Sequence, residues 1–309
     1  DVGLGGSRDV PPPPPPPPTE GCIPSWLLPD VNVLVFEDAQ VTNADTLGGF
    51  WVGGNFSATS GYDVGKDLEL DCCRYDFVVG GTADAGGWVS LMNGSAAHGG
   101  SFDVNGVSGP PGGTLSVCED GTEKACGVYE TPPDMPDFQK LQEDASSYSQ
   151  FLANYPPNGE GSGLSLVGGD PYTDPDRGND VYVFNVSVSS LAGLDLDVPA
   201  GSTVIINVAG TDVTFENGTV RIPGGNCGGG GTTDADGGCS TVLYNLYEAE
   251  TVTVMGMEVP GSILAPDATF LGAGGHVDGQ VVVRNMDTAV EFHAYFFSGC
   301  LELPDQPGE

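Results

Sequence analysis

"VPGSILAPDATFLGAGGHVDGQVVVRN", residues 259–285, decides how the rest of the chain is read. β-forming residues alternate with glycine, and charge is nearly absent. Side chains of a strand point to opposite faces with a period of two, and glycine marks the places where backbone must turn or approach closely. The stretch therefore reads as scaffold rather than as a reactive pocket. Ile263, Leu264, Phe270, Val281 and Val283 are its expected inward residues.

The same texture extends in both directions. "VNVLVF" (31–36), "DVYVFNVSV" (180–188), "STVIINVAG" (202–210), "TDVTFENGTVRI" (211–222) and "ETVTVMGMEV" (250–259) are β runs. "AVEFHAYFF" (289–297) closes the series. Alternation puts Phe292, Ala294 and Phe296 on one face and Glu291, His293 and Tyr295 on the other. "WVGGNFSA" (51–58) and "VVGGTADA" (78–85) share Val-Gly-Gly-x-x-x-Ala at an offset of 27 residues. Stacked rungs with glycine at the corners produce such a repeat.

One segment breaks the pattern. In "DMPDFQKLQEDASSYSQFLANYPP" (134–157), Phe138, Leu141, Ala145, Tyr148, Leu152 and Tyr155 recur at spacings of three and four. That is one apolar stripe on a helix over about 135–155. Asp134 or Asp137 can cap its start, and Pro156 and Pro157 stop it. The stripe must be buried against the β body. "GEGSG" (159–163) follows a helix instead of joining strand to helix, so it reads as a flexible loop.

The chain holds 49 glycines and 25 prolines, yet 39% of its residues are hydrophobic. That composition suits turn-rich β structure and not disorder. Its formal charge is −35, from 8 basic and 43 acidic residues. Nucleic-acid binding needs the opposite sign, and an anionic membrane surface is disfavoured for the same reason. No apolar run reaches 18 residues, so membrane insertion is not expected. The start at Asp1, without a signal sequence, leads to the expectation of a mature, secreted product, extracellular or at the cell surface.

Eight cysteines fit disulfides in an oxidising compartment. Cys118 and Cys126 enclose one short loop, and Cys227 and Cys239 another, so local pairing is expected. Cys72 and Cys73 are adjacent and must each reach elsewhere, with Cys22 and Cys300 as natural partners. Sequons at Asn55, Asn93, Asn185 and Asn217 make N-glycosylation the expectation. Residues 1–21 form a tail around Pro11, Pro12, Pro13, Pro14, Pro15, Pro16, Pro17 and Pro18. These prolines define a polyproline II rod of roughly 25 Å, a spacer or an element for docking or modification. Residues 22–303 make a single domain, and 304–309 a second short tail.

"GSILAPDATF" (261–270), "DGQVVVRN" (278–285) and "EFHAYFF" (291–297) resemble the choice-of-anchor A family of extracellular adhesive domains, some of them collagen-binding-like. "VNVLVFEDAQVTNADTLGGFWVGGNFSA" (31–58) is similar to that family's opening strands, and "LYNLYEAETVTVMGMEVPGSILAP" (243–266) to the approach to its closing rungs. The likeness covers most of residues 31–300 in the correct order. The cysteine set, the proline tail and the acidic segment 170–180 depart from it. The cadence "SILAPDATF…GGHVDGQVVV" is also similar to the rungs of ice-binding β-solenoids, beside which a long helix packs. The resemblance implies a mainly β, disulfide-stapled β-solenoid with the helix 135–155 alongside.

Nothing in the motifs marks a catalyst. His98, His276 and His293 are scattered, with no His-x-His or His-Glu-x-x-His run, so a catalytic zinc is not expected. His293 reads as a surface residue of a terminal strand. No P-loop, Gly-x-Ser-x-Gly elbow or Cys-x-x-Cys occurs. No cofactor is required, and calcium is the one cation invited. "DPYTDPDRGND" (170–180) gathers Asp174, Asp176, Asn179 and Asp180 around Gly178, as oxygen ligands ring a hard cation, and "DADGG" (234–238) is a shorter version. The expectation is a secreted, glycosylated, non-enzymatic structural or adhesive protein. It assembles with itself into an extracellular fibre or matrix through its tail and exposed strand edges. The alternatives are a monomeric adhesin gripping glycan or collagen-like protein, and ice binding, against which the threonines look scattered.

Overall fold

The computed structural model describes Pro24, residues 27–104, 107–108, 115–173, 180–223, Cys227 and residues 238–299. The proline run, Cys22, Cys300, Asp174, Asp176, Asn179 and the "DADGG" acids lie outside these residues. Strands dominate, and 21 of them join in a single sheet. Twenty pair as three parallel ladders, and Tyr172–Thr173 adds antiparallel to Asp180–Ser187.

The first ladder runs Asp180–Ser187, Thr203–Ala209, Val242–Asn245, the start of Ser262–Asp278, the start of Val281–His293, Val31–Val35, Gly49–Val52, Tyr75–Val79, Ser95–His98 and Val128–Glu130. The second runs Asp212–Glu216, Thr251–Pro260, the middles of the next two long strands, Ala39–Val41, Phe56–Ala58, Ala83–Ala85 and Phe102–Val104. The third joins the ends of the three long strands to Ala44–Thr46, Tyr62–Val64, Val89–Leu91 and Val107–Ser108. From residue 31 the chain visits first, second and third ladder in turn, then the first again. Space and sequence diverge at one point. Val31–Val35 lies between Val281–Val283 and Gly49–Val52, so the two halves of the chain meet at a seam inside the stack.

Alternation explains the core. Phe50, Phe56, Tyr62, Phe77, Phe215, Tyr244, Phe270 and Phe292 come from all three ladders, are fully buried and belong to one cluster. Their rings meet edge-on, as in Phe56–Phe77 at 4.9 Å between centroids. Ile263, Phe270, Val281 and Val283 point into this cluster as expected. Leu264 does not. It faces the opposite way, into a second cluster beneath the helix. Alternation also fails after His293, where the strand ends: Tyr295 is buried in the main core.

The 27-residue repeat is the rung register itself. Trp51 pairs with Val78, Phe56 with Ala83 and Ala58 with Ala85. Its glycines stack at the corner: a Cβ on Gly80 would run into the carbonyl oxygen of Gly53, and one on Gly99 into that of Gly80. Only glycine permits that approach.

The helix is Phe138–Asn154, and Asp137 caps it by accepting from Lys140 N at 3.1 Å. Ala145, Tyr148, Leu152 and Tyr155 are buried against Leu34, Val183, Ile205, Leu243, Leu264 and Val282, the outer face of the first ladder. A polar stitch joins helix to ladder. Asn185, Asn207 and Asn245 stand in register; Asn207 Nδ2 donates to Asn185 Oδ1 at 2.9 Å, and Asn245 Nδ2 to Asn207 Oδ1 at 2.8 Å. Ser149 Oγ donates to Asn245 Oδ1 at 2.6 Å, and Asn207 Nδ2 also donates to Leu152 O at 2.8 Å. Residues 159–163, expected as a flexible loop, instead open a hairpin: Gly159–Ser162 pairs antiparallel with Ser165–Gly168.

Cys227 bonds Cys239 as expected. The other pairing differs: Cys72 bonds Cys126 and Cys73 bonds Cys118. Neighbouring residues on an extended chain point apart, so each finds its own partner, as expected. Those partners sit on and just after the hairpin of Leu115–Val117 and Glu123–Ala125, whose two cysteines therefore do not close a loop on each other.

Candidate functional site

The helix covers the outer face of the first ladder, whereas among the described residues no element packs over the second. Its outward column is in register across both halves: Thr214, Thr253, Leu271, Asp287, Gln40, Ser57, Asp84 and Asp103. Eight rungs at the usual strand spacing span about 34 Å. The residues inward of this column, such as Val213, Val252, Phe270, Met286 and Phe56, are buried, which fixes which side faces out. A shallow groove of about 460 Å³ crosses the face at the seam, lined by Asp38, Gln40, Asn55, Ser57, Thr269, Asn285 and Asp287 among others.

One side of that groove is a polar rail. Asn285 Oδ1 accepts from Asp38 N at 3.1 Å, and its Nδ2 donates to Glu37 Oε2 at 2.8 Å. Asp38 Oδ1 accepts from Asn55 N at 2.7 Å and Asn55 Nδ2 at 3.0 Å; Asn55 Oδ1 in turn accepts from Thr82 N at 3.0 Å. The rail holds side chains rigid beside open space, the arrangement that lets polar groups orient a ligand. The threonines are less scattered than the sequence suggests. Register brings Thr214, Thr251, Thr253 and Thr269 together on the upper half of this face, while Asp84, Asp103 and Asp287 occupy the rest.

A second cluster lies on the third ladder. Val259, Val277 and Phe292 point into the core. Their neighbours Glu258, His276, Asp278, Glu291 and His293 therefore share the opposite face. His293 is not a surface residue: it is 7% exposed, and its Nδ1 lies 2.6 Å from Asp278 Oδ1. His276 Nε2 lies 3.6 Å from Asp278 Oδ2 and 4.0 Å from Glu258 Oε2. The two imidazoles stack with centroids 4.6 Å apart. Burial works against a charged His293, but the bond to Asp278 and the charges of Asp278, Glu291 and Asp45 together outweigh it and raise its pKa. Burial lowers that of His276. Burial, then the charge of Asp278, raises that of Glu258. Asp278 Oδ2 and Glu258 Oε1 are buried with no hydrogen-bond partner, at a cost of about 1–3 kcal/mol each. No His-x-His run announces this pair because the two histidines occupy different strands, and only the register brings them together.

The remaining sequence candidates are dispersed. Asn55, Asn185 and Asn217 are exposed, and Asn93 is half-buried with Nδ2 donating to Gly65 O at 3.0 Å. Asp180 accepts from Thr173 Oγ1 at 2.9 Å; its three expected companions lie outside the described residues. His98 is remote from the cluster and bonds the Gly100 carbonyl through Nδ1 at 2.7 Å.

Parallel ladders, a flanking helix and an uncovered polar face define a β scaffold that presents a surface. The sequence profile of the family described as "Putative Ice-binding-like adhesive domain" matches residues 28–294, and the chain belongs to that family. The adhesive class suspected from the sequence is thereby shown, under this family's name and not that of choice-of-anchor A. No curated protein matches the chain in sequence. Among solved structures, an ice-binding protein from an Antarctic biological consortium is similar at 13% identity over 90% of this chain and 92% of that chain, with a TM-score of 0.36. An ice-binding protein from an Antarctic bacterium, Flavobacteriaceae, is similar at 12% identity over 84% and 78%, with a TM-score of 0.29. Among the described residues no helix is long and apolar enough to cross a membrane.

Proposed function

We propose that this chain is a secreted, non-enzymatic adhesive module, wound as a β-solenoid, that grips an extended, hydroxyl-rich partner such as a matrix glycan with its second ladder. The winding is supported by the order in which the chain visits the three ladders and by their common core. The binding role rests on one observation: an in-register column of eight residues, all polar but Leu271, and the groove across it stand uncovered among the described residues, while the equivalent face of the first ladder lies under the helix. A glycan array and solid-phase collagen binding test it, with the full chain and with Ser57→Tyr, which fills the groove from a half-buried position on its lining. Binding that falls about tenfold or more in the variant supports the face, since a misfit at the centre of a contact costs a kilocalorie or more. Equal binding by both proteins overturns it. Thermal hysteresis abolished by the same variant would assign the face to ice instead.

A second reading, end-to-end assembly into a fibre, is favoured by a separate feature. Val128–Glu130 ends the first ladder with Ser95–His98 as its one neighbour among the described residues. An unpaired parallel edge templates another strand. Electron microscopy of the native protein decides: filaments support this reading, and single particles at high concentration remove it.

A further inference from the structure

We propose that Glu258, His276, Asp278 and His293 form a binding site for a divalent transition-metal ion of the zinc class. The inference stands apart from the adhesive reading, and either can fail alone.

The four donors come from three adjacent strands, Thr251–Pro260, Ser262–Asp278 and Val281–His293. Register sets Glu258 beside His276 and Asp278 beside His293. Residues two apart share a face of a strand, so four donor groups converge on rigid backbone with no loop involved. Ligand atoms of His276, Asp278 and His293 all lie within 4.8 Å of one another. Donors on a tetrahedral zinc, with bonds of about 2.0–2.2 Å, sit about 3.3 Å apart. The observed 3.6 Å from His276 Nε2 to Asp278 and 4.0 Å to Glu258 are near that spacing, and the two stacked imidazoles, 22° from parallel, must tilt for both nitrogens to aim at one ion.

A second observation points to a cation independently of spacing. The Asp278 side chain is fully buried, yet its Oδ2 lacks a hydrogen-bond donor and faces His276 Nε2. Glu258 Oε1 is likewise buried without a donor, and its carboxyl lies close enough to that of Asp278 for the pair to share a proton when no ion is bound. An ion held by both carboxyls satisfies both oxygens at once. Two imidazole nitrogens beside two carboxylates select a borderline metal over calcium or magnesium, which prefer oxygen alone. Glu291 Oε2 lies 3.9 Å from His293 Nε2, beyond hydrogen-bond distance, and is the carboxylate placed to receive that N–H once the imidazole ligates through Nδ1. Four protein donors leave no open position, so the site is structural, not catalytic. Its position explains its use. It would pin the three long strands together where the last of them pairs with Thr46 of the opening half.

The test uses the full chain, stripped with a chelator and titrated calorimetrically with zinc, with magnesium as the control for loose uptake by surface acids. One equivalent of zinc is expected to bind at micromolar or lower Kd. Cobalt(II) is expected to give the strong visible bands of four-coordinate geometry. His276→Ala, at a half-exposed position that tolerates truncation, is expected to weaken zinc binding by about tenfold or more. His98→Ala is expected to leave it unchanged. Should His293→Ala fail to fold, His276→Ala still decides. Zinc uptake no tighter than that of magnesium, or identical zinc binding by wild type and His276→Ala, overturns the site.

Discussion

The rungs before the helix and the rungs after it build the same ladders from different means. Before it, strands are two to five residues long, corners are stacked glycines, and two disulfides tie the far end. After it, Ser262–Asp278 keeps pairing for 17 residues, and the helix is stitched on by three asparagines. The opening half relies on backbone freedom and covalent closure. The closing half relies on long pairing and a polar ladder that runs under the helix. A short-rung stack loses little pairing per corner but gains little per strand, so it needs the staples.

Reduction of Cys72–Cys126 and Cys73–Cys118 is the harshest way to break that comparison. These bonds span 54 and 45 residues. By chain entropy each contributes about 4 kcal/mol. Hydrogen exchange after reduction should show amides of 75–104 exposed well before those of 251–293; equal loss in both halves would refute the division of labour. Asn245→Ala attacks the other side. It leaves Asn207 Oδ1 and the Ser149 hydroxyl without their partners, at a cost of about 3 kcal/mol. The loss should appear as exchange in Phe138–Asn154 and the rungs beneath it, with the opening half unchanged.

A milder probe is pH. Asp76, fully buried in the opening half, bonds Arg74 Nε at 2.6 Å, yet burial outweighs that bond and lifts its pKa to about 6 from an ordinary 3.8. A carboxyl raised in the folded state favours folding when protonated. Its contribution is full below pH 3.8 and is lost as pH rises through about 6. The difference is on the order of 2–3 kcal/mol. Asp76→Asn should flatten the stability curve between pH 4 and 6 relative to wild type, as read by denaturant midpoints; parallel curves would contradict the burial argument. The gentlest probe is glycan occupancy by mass spectrometry. Asn55 is engaged at both side-chain atoms, whereas Asn217 sits exposed in a turn with φ of 56°. Occupancy should be higher at Asn217 than at Asn55.

Much of the scaffold was legible in the sequence. The Val-Gly-Gly repeat is the physical rung offset, because glycine corners must stack on glycine corners. The apolar stripe from Phe138 to Tyr155 named the helix face. What could not be read is whatever depends on register between distant strands. Asn185, Asn207 and Asn245 look unrelated until the strands align. His276 and His293 are separated by a turn that says nothing of their stacking. The register also sent Leu264 under the helix: with strands covered on both sides, alternation no longer tells inside from outside. The partners of Cys72 and Cys73 hinged on where one hairpin lands.

The seam has a consequence for biosynthesis. Val31–Val35 is made some 250 residues before Val281–Val283, the strand it borders. A chain emerging from the ribosome therefore carries an open parallel edge until Val281–Val283 has been made. Such long-range closure is slow and leaves the nascent chain prone to pairing with the wrong neighbour. Truncation within the last long strand should then be more damaging than its length implies, since it removes the lid from the first rung as well as the final one.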